Sequence, residues 1–296
     1  MSPRTPSFIA PMAPTPVEQP PDGETWLHEV KFDGYRTQIV IDAGGVRAFT
    51  RNGHDWSDRY RQITKAAGSL PCSSAIIDGE MCVQNHNGVT DYQALVRSIA
   101  QAPEHLILFA FDLLHLNGKD LRDEPLIDRR ARLQDLLGSP GSLPNLQFSP
   151  HLVGNGPDLF KAADRAGLEG IISKRVTSRY FSGHSYMWTK AKAFTVGDFE
   201  ILGVDRSSTG HPVALLSRPG GEDYAGDATI TLRDDQRQEF WAAVDRLGTP
   251  RARLASLMKR KSATWVRTGL TARVRHQRGS DKLRHATLQA LDYDAD

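Results

Sequence analysis

The chain has 296 residues, of which 39% are hydrophobic and 24% charged, an ordinary composition for a globular protein long enough to form two domains. No charged start leads into a long apolar run, so the sequence excludes a secretory signal and a spanning helix and predicts a cytoplasmic protein. Its two cysteines, Cys72 and Cys82, cannot build a four-ligand zinc site or a disulfide framework.

The first part of the chain is predicted to be an extended lead followed by short strands. Residues 1–24 contain seven prolines, which excludes a helix and predicts a strap lying on the first domain. The pairs Asp33-Gly34 and Gly44-Gly45 mark turns between β-rich segments. The predicted strands are WLHEVKF (26–32), TQIVIDA (37–43), VRAFTRN (46–52), AIIDGEMCV (75–83), LILFAFDLLHL (106–116) and GIISKRV (170–176).

Two segments between these strands have helical spacing. They are LIDRRARLQDLL (126–137) and DLFKAADRAG (158–167), the second with Asp158 as its expected N-cap and Gly167 as its end. Strands mixed with helices in this order predict an α+β domain with antiparallel sheets.

The pattern changes after Ala193. Short strands FEILGVDR (199–206), PVALLSR (212–218) and ATITLR (228–233) precede one helix, DDQRQEFWAAVDRLG (234–248). Several short strands with one helix in about 100 residues predict an OB-type β-barrel. We therefore expect two domains, residues 1–194 and 195–296.

The net charge of +2 conceals a basic segment near the end of the chain. Residues 251–284 contain eleven lysines and arginines and a single acid, Asp281. A polyanion would neutralise such a segment, which favours a nucleic acid partner. The alternative is a solvated basic face balanced in space by acids such as Glu222, Asp223, Asp234 and Asp235.

The stretch HEVKFDGYR (28–36) places Lys31 inside a strand-like alternation. It could be a solvated edge strand. A lysine amine is nucleophilic only when uncharged, so a reactive lysine needs burial or nearby cations to lower its pKa. Arg36 and Arg51 lie on neighbouring predicted strands, and Lys190 and Lys192 share one face through their period-two spacing. These cations would also hold a phosphate, the kind of electrophile that a neutral lysine attacks.

Carboxylates and an aromatic residue fit the same chemistry. Glu80 and Glu169 lie at strand ends, where they could bind a hard divalent ion that bridges phosphate oxygens, or could be ordinary surface charges. Phe111 alternates with Phe109 along a strand, and one of them could stack on a purine, although plain core packing is the alternative.

Six short motifs follow one another along the chain. They are EVKFDGYR (29–36), TRNG (50–53), IDGEM (77–81), FAFDLLHLNG (109–118), EGIISKR (169–175) and WTKAK (188–192). In this order they resemble the successive motifs of ATP-dependent DNA ligases, and most of all the ligase domain of bacterial non-homologous end-joining ligases, whose lead is similar to FIAPMAP (8–14). The resemblance spans nearly the whole chain.

The resemblance implies a nucleotidyltransferase domain followed by an OB-fold domain. It implies that Lys31 attacks the α-phosphorus of ATP and forms a lysyl-adenylate, whose AMP then activates a 5′-phosphate at a DNA break for displacement by the 3′-hydroxyl. The other family roles fall on Glu29 for the adenine amino group, Arg36 and Arg51 for phosphate and sugar, Glu80 for ribose or metal, Phe111 for adenine stacking, Glu169 for metal, and Lys190 and Lys192 for the α-phosphate.

The segment KLRHATLQALDYDAD (282–296) departs from the family's final motif. Arg284 matches the first arginine of that motif, but Asp292 stands where the second arginine is usual. In the family this motif orients the pyrophosphate of ATP. We therefore expect slow self-adenylation, or recruitment of Lys282 or Arg278 in its place.

Two rival functions stay open at this point. RNA ligases and RNA-capping nucleotidyltransferases use a lysine in the same K-x-D-G setting, although FDLLHLNG and WTKAK favour DNA ligase. A DNA-end-binding protein with weakened ATP chemistry is the other rival. The ligase resemblance implies ATP with Mg²⁺ or Mn²⁺, a monomer on nicked or broken DNA near the nucleoid, and a Ku-type end-binding protein or a separate repair polymerase as partner.

Overall fold

The chain forms two compact units, which meet in sequence between Ala193 and Phe194. The computed structural model describes residues 6–220, 223–260, 262–277 and 282–292. Glu222, Arg278 and Asp281, named above, and Lys261 of the basic segment lie outside the described residues. Helices and mainly antiparallel sheets confirm the predicted α+β class. In the ranges given, no helix combines the length and the apolar character needed to cross a membrane.

Within residues 6–193, the first unit has eleven strands and four helices. The strands are β1 (Met12–Val17), β2 (Trp26–Val30), β3 (Tyr35–Asp42), β4 (Gly45–Thr50), β5 (Ala75–Cys82), β6 (Ile107–Leu116), β7 (Lys119–Asp120), β8 (Leu146–Phe148), β9 (Leu152–Val153), β10 (Gly170–Arg175) and β11 (Gly183–Lys192). The helices are α1 (Arg61–Ala67), α2 (Tyr92–Gln101), α3 (Leu126–Leu137) and α4 (Gly156–Arg165), with a 3₁₀ turn at Pro103–His105.

These strands form two sheets. The first has the order β1-β11-β10-β2-β9, and the second has the order β4-β3-β5-β6-β7 with β8 added beside β6. The pairs β1–β11 and β6–β8 are parallel, and the other strand pairs of this unit are antiparallel. The strand β1 carries Pro14 and Pro16, which an edge strand tolerates because its outer side needs no ladder hydrogen bonds.

The two sheets pack face to face. Their facing side chains form a core cluster of Met12, Leu27 and Trp188 from the first sheet and Val40, Ile76, Phe111 and Leu114 from the second. Helices cover the outer faces: α1, α2 and α3 contribute to the core behind the second sheet, and α4 packs on β10 and β11. Strands covered on both faces are buried along most of their length, as β6 is.

The second unit is a small closed barrel. Its elements are β12 (Phe194–Arg206), β13 (Pro212–Ser217), β14 (Tyr224–Ile230), α5 (Asp234–Arg246), β15 (Gly248–Thr249), β16 (Thr264–Val266), β17 (Thr271–Gln277) and β18 (Thr287–Asp292), with a 3₁₀ turn at Ala255–Leu257. The long strand β12 pairs with β13 through one half and with β17 through the other, which closes the ring β12-β13-β14-β18-β17. Five strands closed in this way, with a helix after the third, confirm the predicted OB fold.

Candidate active site

A cavity of about 520 Å³ lies between the two sheets of the first unit. Seven residues predicted from the sequence line it: Glu29, Lys31, Arg36, Arg51, Glu80, Phe111 and Lys190. Glu169 and Lys192 are not part of its wall, although Glu169 contacts Lys31. The fold therefore gathers side chains from distant motifs around one space.

Alternation along β2 decides which side chains reach the cavity. Glu29 and Lys31, two residues apart, both line it. The backbone N–H of Lys31 donates to the carbonyl of Gly170 at 2.9 Å, which fixes the chain just beyond the strand end. His28 lies on the opposite face, where its Nδ1 is 2.8 Å from Ser173 Oγ, because neighbouring side chains along a strand alternate between its two faces.

Lys31 is held by an acid. Its Nζ forms a short ion pair with Glu169 Oε2, and Lys192 Nζ lies 3.9 Å from Glu169 Oε1. The Glu169 side chain is 4% exposed. A single buried carboxylate therefore links the predicted nucleophile to Lys192, which the cavity wall itself does not include.

Lys190 faces a group of positive charges. Burial lowers the pKa of Lys190, and the charges of Lys31 and Arg51 lower it further, against the opposing effect of Glu169. The Lys190 backbone pairs with Ile172 of β10, which in turn pairs with Glu29, so all three stand at one level of the sheet. Such a cluster of cations suits a phosphate group.

Arg36 is fixed by a partner that the sequence did not single out. Its Nε and one terminal nitrogen donate to the two oxygens of Asp78 at 2.6 and 2.7 Å, and Tyr180 donates to the same carboxylate at 2.6 Å. The Asp78 side chain is fully buried. Asp78 lies within the motif IDGEM, and its place in that motif was the signal in the sequence that could have marked it as a site residue.

Glu80 is an unusual carboxylate. Burial raises its pKa to about 7, and the charges of Glu169 and Asp78 add to the rise, whereas Arg36 and Lys31 oppose it. Glu80 stands directly opposite Arg36 in the β3–β5 ladder. A cation bound near Glu80 and Glu169 would relieve the repulsion between them.

Glu29 is buried between two cations that sequence reasoning did not assign to the site. One terminal nitrogen of Arg130 forms a short ion pair with Glu29 Oε1, and Lys174 Nζ donates to Glu29 Oε2 at 2.8 Å. Burial lowers the pKa of Lys174 to about 8, although Glu29 opposes this effect. Arg129 and Arg130 both stand where the period of α3 expects an apolar residue between Leu126 and Leu133, which was the available signal for a buried charge.

Phe111 is not a bare stacking surface in this structure. Lys174 Nζ lies 4.1 Å and the Arg36 guanidinium carbon 4.5 Å from the centre of its ring. Phe109, the other candidate, stacks on Phe32 at 4.2 Å and does not line the cavity. Of the two predicted rings, Phe111 alone therefore faces the space that could hold a base.

Two carboxylates, those of Glu80 and Glu169, are available for the predicted metal ion. Within the residues that the structure describes, no group of three or more histidine, cysteine, aspartate or glutamate side chains is arranged for a metal ion. Glu80 and Glu169 offer carboxylate oxygens, the type of ligand that Mg²⁺ and Mn²⁺ prefer, and each interacts with Lys31. Mg²⁺ often binds through one or two protein carboxylates and takes other ligands from substrate phosphates, so these two carboxylates fit such an ion.

A family model of the ATP dependent DNA ligase domain matches residues 17–192. The chain belongs to this family. The multifunctional non-homologous end joining protein LigD of Pseudomonas aeruginosa is 42% identical over 214 residues, which are 71% of this chain and 25% of that protein. LigD of Mycobacterium tuberculosis is 28% identical over 279 residues, which are 90% of this chain and 36% of that protein. This ligase-family chain thus spans about a third or less of those two relatives.

Solved ligase structures share the whole fold. A mycobacterial DNA ligase D complexed with ATP and MES has 27% identity and a TM-score of 0.59 over 97% of this chain and 96% of that one. The ligase domain of M. tuberculosis LigD has 26% identity and a TM-score of 0.57 over the same shares of the two chains. Both units of this ligase-family chain therefore have counterparts in structures of end-joining ligases.

Proposed function

We propose that this chain is an ATP-dependent DNA ligase that joins a 5′-phosphate to a 3′-hydroxyl through a covalent adenylate on Lys31. The observation that carries the proposal is one cavity in which Lys31 faces Glu29, Arg36, Arg51, Glu80, Phe111 and Lys190. The structure of a relative complexed with ATP supports a nucleotide in the equivalent space.

In the first step, Lys31 Nζ attacks the α-phosphorus of ATP, a nitrogen–phosphorus bond forms and pyrophosphate leaves. The amine must lose a proton, and Glu169 Oε2, in contact with Nζ, is placed to accept it. Lys190, together with Arg51, balances negative charge on the phosphates, and Lys192 supports Glu169.

The later steps use the same cavity. The 5′-phosphate at a break attacks the phosphorus of lysyl-AMP, so Lys31 is released and a DNA-adenylate forms. The 3′-hydroxyl then attacks the activated 5′-phosphate, and AMP leaves. Arg51, an exposed residue on the cavity wall, is our candidate for contacting the phosphate and sugar, whereas Arg36 is oriented by Asp78.

Glu80 and Glu169 are proposed to hold Mg²⁺ or Mn²⁺. When bound, the ion would neutralise charge on the phosphate oxygens of ATP. The raised pKa of Glu80 supports this assignment. Ionising Glu80 beside Glu169 costs free energy, and a bound cation would reduce that cost.

The two units would divide the work, with residues 1–194 transferring the nucleotide and residues 195–296 binding DNA through the basic segment. Monomeric action in the cytoplasm, on nicked or broken DNA of the nucleoid, follows from the same proposal. The name of the Pseudomonas relative supports a role in end joining, with a Ku-type protein or a repair polymerase as the proposed partner.

Labelled ATP tests the central step. Incubation with α-labelled ATP and Mg²⁺ should transfer label to the wild-type chain, and intact-mass analysis should show one added AMP. Lys31→Ala should abolish the transfer. Lys161→Ala removes an exposed lysine outside the cavity and should leave it intact. Labelling that persists in Lys31→Ala would refute the assignment.

Sealing assays separate the rival functions. A ligase should close nicked duplex DNA with ATP, whereas an RNA ligase should prefer nicked RNA and a capping enzyme should label with GTP. A DNA-end-binding protein would retain DNA affinity and show no sealing even of a pre-adenylated nick. The family match to ATP-dependent DNA ligases favours the first outcome.

A further inference from the structure

We propose that Arg130 is a positioning residue that sets the base selectivity of this site by holding Glu29 and Phe111 in one arrangement. The inference rests on the proposed function, in which Glu29 meets the amino group of adenine and Phe111 stacks on the base. It goes further by naming the residue behind the cavity wall that makes this recognition selective.

One terminal nitrogen of Arg130 joins the two proposed base-binding residues. It donates both to Glu29 Oε1, in a short ion pair, and to the backbone carbonyl of Phe111 at 2.7 Å. The Arg130 side chain is 1% exposed and does not line the cavity. It can therefore act on a nucleotide only through Glu29 and Phe111.

The other terminal nitrogen anchors Arg130 to the segment that follows β8. It donates to the carbonyl of Ser149 at 2.5 Å and lies 3.1 Å from His151 Nδ1. The planar guanidinium thus has fixed partners on both of its terminal nitrogens. Burial lowers the pKa of His151, as does the charge of Arg130, which favours the neutral ring that can accept this hydrogen bond.

Lys174 completes the arrangement from the opposite side. Its Nζ donates to Glu29 Oε2 at 2.8 Å and lies 4.1 Å from the centre of the Phe111 ring. Each cation therefore touches both Glu29 and Phe111, and each takes a different oxygen of the carboxylate. Glu29 cannot rotate without breaking one of the two charge-assisted hydrogen bonds.

A carboxylate oriented in this way selects one kind of base edge. An ionised carboxylate only accepts hydrogen bonds, so it attracts an exocyclic amino group and repels a carbonyl oxygen at the same position. A loosely held Glu29 could turn away from a carbonyl oxygen, and selectivity would fall. Adenine and hypoxanthine differ in this respect, which makes ATP and inosine triphosphate suitable probes.

Arg129 provides a matched control on the same helix. Like Arg130, it is fully buried and pairs with a carboxylate, but its partner is Asp112. Its Nε and one terminal nitrogen each donate to one oxygen of Asp112 at 2.8 Å. Its other hydrogen bonds go to the carbonyls of Glu124 and Ser178, and its guanidinium carbon lies 6.0 Å from the centre of the Tyr180 ring. Neither Arg129 nor Asp112 lines the cavity.

The experiment compares nucleotide selectivity of the full chain. The rate of covalent adduct formation is measured by intact mass with ATP and with inosine triphosphate, and the ratio of the two kcat/KM values is taken for each variant. If Glu29 is no longer held in place, its charge-assisted hydrogen bond to the adenine amino group is lost, and the ratio should fall by about 10- to 100-fold. We expect this loss in Arg130→Met and in Arg130→Lys, and an unchanged ratio in Arg129→Lys.

Each outcome bears on the inference. Arg130→Lys keeps the buried charge but has a single nitrogen, whereas the partners of Arg130 are divided between two. This variant therefore tests the inference even if Arg130→Met does not fold. Equal losses with both nucleotides, leaving the ratio unchanged, would mean that Arg130 supports only the fold and would overturn the inference alone. Absence of any adduct in the wild-type chain would overturn the proposed function and this inference with it.

Discussion

At the scale of single residues, the site is decided by which charges are buried together. Sequence motifs named Glu29, Lys31 and Glu169, but not Arg130 and Lys174, which fix Glu29. Lys174 comes close to Glu29 because β10 pairs with β2, and Arg130 reaches it from α3, behind the second sheet. Lys174 lies within the motif EGIISKR, but the family resemblance assigns it no role. Local spacing carries no information on such long-range pairs.

Buried His115 and half-buried His151 contribute to the dependence of stability on pH. Burial lowers the pKa of His115 and of His151 below the ordinary value of 6.5, and each accepts a hydrogen bond as a neutral ring, His115 from the Gly118 N–H at 3.2 Å and His151 from Arg130. The folded state therefore binds fewer protons than the unfolded state, so this stability is present above 6.5 and is lost as pH falls through the folded pKa values.

Urea unfolding at about pH 7.5 and about pH 5.5 measures this effect. His115 should lower the stability at the lower pH relative to the higher one, whereas Glu80, whose pKa is raised to about 7, acts in the opposite direction. Compared with wild type, His115→Gln should therefore be relatively more stable at the lower pH. His86→Gln, at an exposed position, should leave the pH dependence as it is. An equal pH dependence in wild type and His115→Gln would contradict the prediction.

At the scale of elements, the sequence pattern predicted two helices of the first unit and missed two others. The bounds of α3 agree with the predicted 126–137, whereas α4 begins at Gly156 after Asn155, so the proposal of Asp158 as N-cap was wrong. The helices α1 and α2 were missed. The first has only seven residues, and the second buries only Leu95 and Ser98, although its apolar residues recur at helical spacing. The parallel pairing of β1 with β11 depends on contacts between the two ends of the first unit.

Gly170 at the start of β10 gives a prediction at this scale. Its φ is +136°, and an added Cβ would lie 2.1 Å from the Ala191 carbonyl, beside the backbone bond to Lys31. Gly170→Ala combines backbone strain with a clash that cannot relax, so the free energy of unfolding should fall by about 3 kcal/mol or more. Adenylation should fall as well, because Lys31 is displaced.

Gly183 supplies the control for this substitution. Its φ is +102°, but an added Cβ would meet no atom within 4 Å. Gly183→Ala should cost only about 1–2 kcal/mol from the backbone, without loss of adenylation by the folded chain. Chemical denaturation together with label transfer checks both variants, and equal stability losses would rule out the clash.

At the scale of the whole molecule, the charge of the basic segment is partly neutralised within its own unit. Arg253 pairs with Glu200, Arg260 with Asp205 and Asp227, and Arg273 with Asp198. The sequence count could not show this, because the acids that pair with these arginines in the described residues lie on β12 and β14. Fewer cations are therefore available to a phosphate backbone than the composition indicates.

Arginines that pair with acids in their own unit and arginines that do not are expected to affect DNA binding differently. Arg267 is exposed and forms no ion pair with any residue in the described ranges, so Arg267→Ala should lower the slope of log K against log salt by about 1. Arg260→Ala should leave the slope unchanged and instead destabilise the barrel, since it breaks contacts to Asp205, Asp227 and Tyr224.

Anisotropy titrations of nicked duplex DNA over a range of salt concentrations measure these slopes. A slope that is the same for wild type and Arg267→Ala would place this arginine away from DNA. A reduced slope in Arg260→Ala would show instead that its internal ion pairs open on binding.

The lead strand has a consequence for handling the protein. Because β1 covers the outer edge of β11, with Pro16 opposite Lys190, shortening the chain beyond Met12 would uncover a row of unpaired backbone groups next to the cavity. Such truncated chains should aggregate by strand-to-strand pairing as well as losing activity, and an affinity tag placed ahead of this strand needs a spacer that leaves the edge closed.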